Sequence, residues 1–186
     1  IFFNMFGLWM FGTPLEQMWG KKKFIFFYLS TGFGAAALQL LLYYYQIDYV
    51  NTALNELGLT NPDINNFYST AELPTSAINE IGEGSLSSAF NAYRSVMVGA
   101  SGALYGVLVG FAMLFPNAQL MLLFPPIPVK AKFLVPILIF ADLFFGFSSY
   151  SIGPIAHFAH VGGAITGLAM MWYWKKNQFD NNRWDS

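Results

Sequence analysis

Apolar residues along this chain come in long, nearly unbroken runs rather than in the alternating stripes of half-buried elements. Five runs stand out: Ile1 to Trp19, Phe24 to Tyr45, Val96 to Phe115, Phe133 to Phe147 and Ile155 to Trp174. A helix that crosses the hydrocarbon of a bilayer needs about 20 mostly apolar residues. The pattern therefore predicts an all-α, polytopic helical bundle with five membrane spans, the fourth being the shortest. Lys21, Lys22 and Lys23 break the first run from the second, and Pro125, Pro126 and Pro128 mark a turn between the third and fourth. The spans form one transmembrane domain over residues 1–176, followed by a polar tail at 177–186. Within that domain, Gln46 to Ser95 is an extended polar loop, far longer than the usual connection. The stretches NTALNELG (51–58) and SLSSAFNAYRS (85–95) predict short amphipathic helices on it.

Composition adds weight to a membrane reading. Only 10% of the 186 residues are charged, against 55% hydrophobic, and the mean hydropathy is +0.45. Soluble domains carry about a quarter charged residues. There is no cysteine, which excludes disulfides, thiolate metal sites and a thiol nucleophile. A net charge of −1 argues against a nucleic-acid partner. No metal or cofactor site is expected.

Lys and Arg set the orientation. Apart from Arg94, they lie between the first and second runs, between the third and fourth, and after the fifth. In a five-span chain these places share one side, which the positive-inside tendency makes cytoplasmic. The expected location is a bacterial cytoplasmic membrane, with the C-terminus in the cytoplasm. The first, third and fifth runs then descend from the outer face. Counted from Ser95 and Pro154, Ser101 and His160 each lie six residues in, roughly 9 Å at the helical rise. Asn4 lies near the outer end of the first run, so the three polar residues share one layer.

Small residues promise closeness in that layer. Gly102, Gly106 and Gly110 recur every four residues on the serine helix, and Gly163 and Gly167 do the same on the histidine helix. Such stripes let helix backbones approach in lipid. They can serve as packing seams alone, or they can bring Ser101 within reach of an imidazole able to take its proton.

The motifs resemble those of rhomboid intramembrane serine proteases. GxSGxxxG is matched from Gly99 through Ser101, Gly102 and Tyr105 to Gly106; AHxGGxxxG is matched from Ala159 through His160, Gly162 and Gly163 to Gly167. The likeness extends over nearly the whole chain, including FGTPLEQMWGKKKF (11–24). It implies a serine endopeptidase that cuts single-span membrane proteins within the bilayer, near the outer face, by a Ser-His dyad. By resemblance, Ser101 is the nucleophile, His160 the base, Asn4 an oxyanion donor with the Ser101 N–H, and Tyr105 a support for the His160 ring. The family's HxxxN motif is matched only at Asn4. Its His would precede Ile1, and the family core has six spans. The resemblance thus implies a missing first span, and a fragment of weak or no activity.

Other residues invite a role. His157 lies one turn before His160; with no carboxylate expected nearby, it reads as interfacial. Asp142, counted up from Phe133, lies roughly 14 Å into the fourth span. It is read as a bundle-facing acid, deeper than His160, hydrogen-bonded and protonated, rather than as a third catalytic member. Phe140, Phe144, Phe145 and Phe147 are read as lipid-facing. The alternative classes are a non-catalytic rhomboid-like client binder, disfavoured because Ser101 and His160 are both present, and a transporter, disfavoured by the lack of a repeat.

Overall fold

The first apolar run forms a helix that widens to a π-helical turn midway. In the computed structural model, which describes residues 1–95, 100–121, 127–147 and 157–177, α1 (Phe2–Gly7) leads into a π-helical turn (Leu8–Gly12) and then α2 (Thr13–Trp19). Pro14 has no N–H to offer the Met10 carbonyl, and the Thr13 hydroxyl is turned back onto the Trp9 carbonyl at 2.6 Å. A widened turn absorbs the lost bond without ending the helix. Then follow α3 (Lys21–Glu56), α4 (Asn61–Thr70), α5 (Thr75–Ile81), α6 (Glu83–Arg94), α7 (Ser101–Leu114), a hairpin of β1 (Gln119–Met121) and β2 (Pro128–Lys130), α8 (Ala131–Phe147) and α9 (His157–Asn177).

The chain divides into two units, residues 1–39 with 99–186, and residues 40–98. In the first, α7 is buried along most of its length, as a central helix must be. Its neighbours meet it through backbone. A Cβ on Gly163 would land on the Gly102 carbonyl, and one on Gly167 would stand 2.9 Å from the Gly106 Cα. Both positions advance by four residues together, so α7 and α9 run parallel. That agrees with two helices descending from the same face. Thr31 of α3 packs where Gly106 has no side chain, and its hydroxyl lies 3.2 Å from the Ala103 carbonyl across the helix interface. Leu15, Phe27 and Val107 are fully buried beneath this seam.

The exterior of this unit is apolar. Phe33 is 74% exposed and Phe147 80%, values that make sense where the surroundings are lipid. Phe140 and Phe144 also point outward, as expected; Phe145 instead lies against the His157 ring, with centroids 6.1 Å apart. At the basic end, Trp19, Phe27 and Trp174 cluster, and the Lys23 ammonium sits 4.3 Å from the Trp174 ring centroid. Aromatic rings and lysines together are the furniture of a membrane interface. Among the described residues, α3 is the helix that is both long and apolar enough to qualify as a span by length and composition.

The hairpin between α7 and α8 pairs Gln119 with Lys130 and Met121 with Pro128. The expected turn is thus partly strand at Pro128, while Pro125 and Pro126 lie outside the described residues.

The second unit replaces the expected polar loop with helices. The segment read as a separate short helix from residue 51 is the end of α3, and α6 covers most of the expected 85–95 helix. Val50, Leu54, Ile64, Phe67, Tyr68, Ala77, Leu86 and Ala89 form its core. The Tyr68 hydroxyl donates to the Asn51 side-chain oxygen at 2.9 Å, and Arg94 donates to the Ser69 carbonyl at 3.2 Å. At the start of α4, Asp63 accepts from the Thr60 N–H at 2.8 Å and from the Thr60 hydroxyl at 2.6 Å. Those bonds hold its carboxyl below the usual range.

Candidate active site

Ser101 is the first residue of α7, with Ala100 at the cap. The Leu104 N–H makes the first turn's bond to the Ala100 carbonyl at 3.0 Å. Ser101 and Gly102 open the first turn of the helix. They face the helix's positive end, where developing negative charge is stabilised. His160 stands in the first turn of α9, which begins at His157. Residues 96–99 and 148–156 lie outside the described set, Gly99 and the points from which the six-residue depths are counted among them or at their edge.

The glycine seam fixes the separation. Gly102 and Gly163 bring the two backbones together, and the Ser101 Oγ and His160 Nε2 meet at 2.8 Å. The Tyr105 ring lies flat on the imidazole, with centroids 4.3 Å apart and planes 8° from parallel. Tyr105 is one turn below Ser101 on α7, so the same helix presents the hydroxyl and the platform. Gly162 packs against Gly34 and Leu38 of α3, and Gly106 against Thr31. The glycines at 102, 106, 162, 163 and 167 are thus all places of close approach.

Asn4 is half-buried on α1. One turn on, Gly7 meets the Leu104 side chain, and Leu104 is itself three residues after Ser101. Two helices running the same way then carry Asn4 and Ser101 at one level.

Asp142 departs from expectation. Its Oδ1 lies 3.1 Å from His160 Nδ1 and 2.6 Å from His157 Nδ1. It is level with His160, not deeper, because α8 and α9 pack antiparallel. Gly146 faces His157 and Phe158, so a residue four earlier on α8 faces one about four later on α9. His157 is correspondingly not interfacial: it is buried and paired with Asp142. The signal available in the sequence is the i, i+3 pair of histidines taken together with an acid in a span. Among the described residues no group of His, Asp and Glu has the makings of a metal site.

The arrangement is a hydroxyl, an imidazole and a carboxylate in contact, at the start of a helix. Such a set suits proton removal from the hydroxyl and attack on an acyl carbon. The family model for the Rhomboid domain matches residues 1–50 and 75–177. The chain belongs to the rhomboid family. A rhomboid is a membrane-embedded helical protein, and the lipid-facing exterior described above fits that. The chain is also 27% identical over 175 residues to "Rhomboid protein 1, mitochondrial" of Saccharomyces cerevisiae. That match covers 93% of this chain but 37% of the yeast protein, so the chain spans little more than a third of its relative's length. The relative's mitochondrial name lends nothing to the bacterial location expected from the sequence. No solved structure matches. Residues 51–74, which the family model passes over, hold the end of α3 and all of α4.

Proposed function

We propose that this rhomboid is an intramembrane serine endopeptidase acting on single-span membrane proteins. The observation that carries the proposal is the 2.8 Å approach of the Ser101 hydroxyl to His160 Nε2, under a stacked Tyr105. His160 takes the Ser101 proton as Oγ adds to the substrate carbonyl, and the carbonyl electron pair moves onto oxygen. The Ser101 amide, at the positive end of α7, and the Asn4 side chain receive that charge. Removing one such donor costs roughly 3 kcal/mol, a hundredfold or more in rate. The imidazolium then gives its proton to the leaving amine, and water repeats the sequence on the acyl-enzyme. Ser101 and His160 are not fully buried, as access for that water requires.

The basic residues support five spans with the reacting layer towards the outer face and the C-terminus in the cytoplasm. The test is cleavage of a single-span substrate in liposomes. Ser101→Ala and His160→Ala are each expected to abolish the cut while the protein stays inserted. Parental cleavage by either variant overturns the assignment.

A further inference from the structure

We infer that Asp142 is a positioning residue for His160, and that His157 shares the task by holding the carboxylate. The inference rests on the protease reading but stands on different atoms. A single oxygen, Asp142 Oδ1, meets the Nδ1 of both histidines, at 2.6 and 3.1 Å. An ionised carboxylate only accepts hydrogen bonds, so both Nδ1 atoms carry protons. That leaves His160 Nε2 with its lone pair toward Ser101, which is the tautomer a general base requires. Tyr105 stacks on the His160 imidazole and keeps it from turning. The imidazole is thus held by Asp142 at Nδ1 and by Tyr105 across its face.

The chemistry assigns the carboxylate a second task. When the Ser101 proton arrives on Nε2, His160 becomes an imidazolium whose Nδ1–H already points at a negative oxygen. The proton on Nδ1 stays where it is, and Asp142 remains ionised throughout. This is the part an Asp takes in Ser-His-Asp proteases of unrelated folds. Asp142 touches neither Ser101 nor substrate, so it acts through His160. His157 fixes the carboxylate from the other side. It is buried among its neighbours, and its Nε2 has no partner among the described residues, so its one polar contact is with Asp142. A Cβ on Gly146 would stand 3.4 Å from the His157 Cβ, so the glycine lets α8 come close enough for that bond.

Nitrogen NMR of the full-length protein, labelled with ¹⁵N-histidine in bicelles, reads the tautomer directly; a His157→Phe variant assigns the two rings. His160 is expected to carry its proton on Nδ1 in the parent and to lose that preference in Asp142→Asn, whose amide can donate to Nδ1. A parent in which His160 is protonated on Nε2 overturns the inference without any variant. So does an unchanged tautomer in Asp142→Asn. In the cleavage assay, Asp142→Asn is expected to lower kcat at least tenfold with KM within twofold, approaching the ~10⁴-fold loss of the same change in soluble triads. Phosphonylation of Ser101 by a fluorophosphonate is expected to slow in parallel. His157→Phe is expected to lie between parent and Asp142→Asn. Parental kcat in Asp142→Asn counts against the inference. Ser101→Ala, run beside it, separates the two ideas: if that variant still cuts, the protease reading falls, and the tautomer measurement still decides Asp142.

Discussion

The seam between α7 and α9 and the helices α4 to α6 hold themselves together by opposite means. In the seam, backbone touches backbone at Gly102 and Gly163 and again at Gly106 and Gly167, and large apolar side chains face outward. In α4 to α6, Phe67, Leu86 and Ala89 are inside with Leu54, while residues such as Asn65, Asn66 and Ser87 lie on the surface. A seam in lipid and helices in water are expected to differ in this way. Water rewards burying a leucine by about 25 cal/mol per Å² of apolar surface. Lipid does not, so helices there gain mainly from close contact and interhelical hydrogen bonds. The glycine seam supplies both proximity and precision, and precision is what a 2.8 Å contact between Ser101 and His160 demands.

The sharpest way to break the comparison is Gly163→Ala. The new methyl meets the Gly102 carbonyl, which is part of a helix and cannot swing aside. Overpacking of this kind costs about 1–3 kcal/mol, and a shift of about 1 Å between reacting groups costs about a hundredfold in rate. Cleavage is expected to fall by at least that factor, with the protein still inserted; an unchanged rate would show that the seam does not set the site. Leu54→Ala tests the other region. Losing a fully buried leucine costs about 2–5 kcal/mol. Hydrogen exchange is expected to rise in α4 to α6 and to leave α7 and α9 protected. Uniform loosening of both would end the contrast.

Thr31→Val probes the polar part of the seam. It keeps the shape beside Gly106 and deletes the hydroxyl near the Ala103 carbonyl. The expected cost is about 0.6 kcal/mol, the average for membrane hydrogen bonds, seen as a small drop in the detergent unfolding midpoint. The smallest effect belongs to Asp63. Its folded carboxyl is held low, so its support for α4 is full above the unfolded carboxylate range and fades as pH falls through it. Amide exchange in the first turn of α4 is expected to rise on acidification, and Asp63→Asn is expected to flatten that response.

The sequence made the Ser101 and His160 pair legible because the evidence was redundant: glycine spacing, direction of descent and two motifs all converge on the same turns. The level of Asp142 is not legible in the same way, because a count from Phe133 takes that residue for a membrane face. The helix begins at Ala131, straight out of a β-strand, and the packing of Gly146 on His157 sets its level, a tertiary fact that no run length encodes. Likewise, polarity from Gln46 to Ser95 suggested a loop. Its buried residues are spread thinly over four helical segments, so no single window shows a strong apolar face.

The glycine contacts also bear on inheritance. No amino acid is smaller than glycine, so every missense change at Gly163 adds atoms. A clash between two side chains can be relieved by a second mutation that trims the partner. Here the partner is the carbonyl of Gly102, present whatever residue occupies that position, and Gly102 is already the minimum. A selection for revertants of Gly163→Ala is therefore expected to return true reversions, or distant changes that tilt a whole helix, and no local suppressors. The seam is a stretch of sequence with little room to drift.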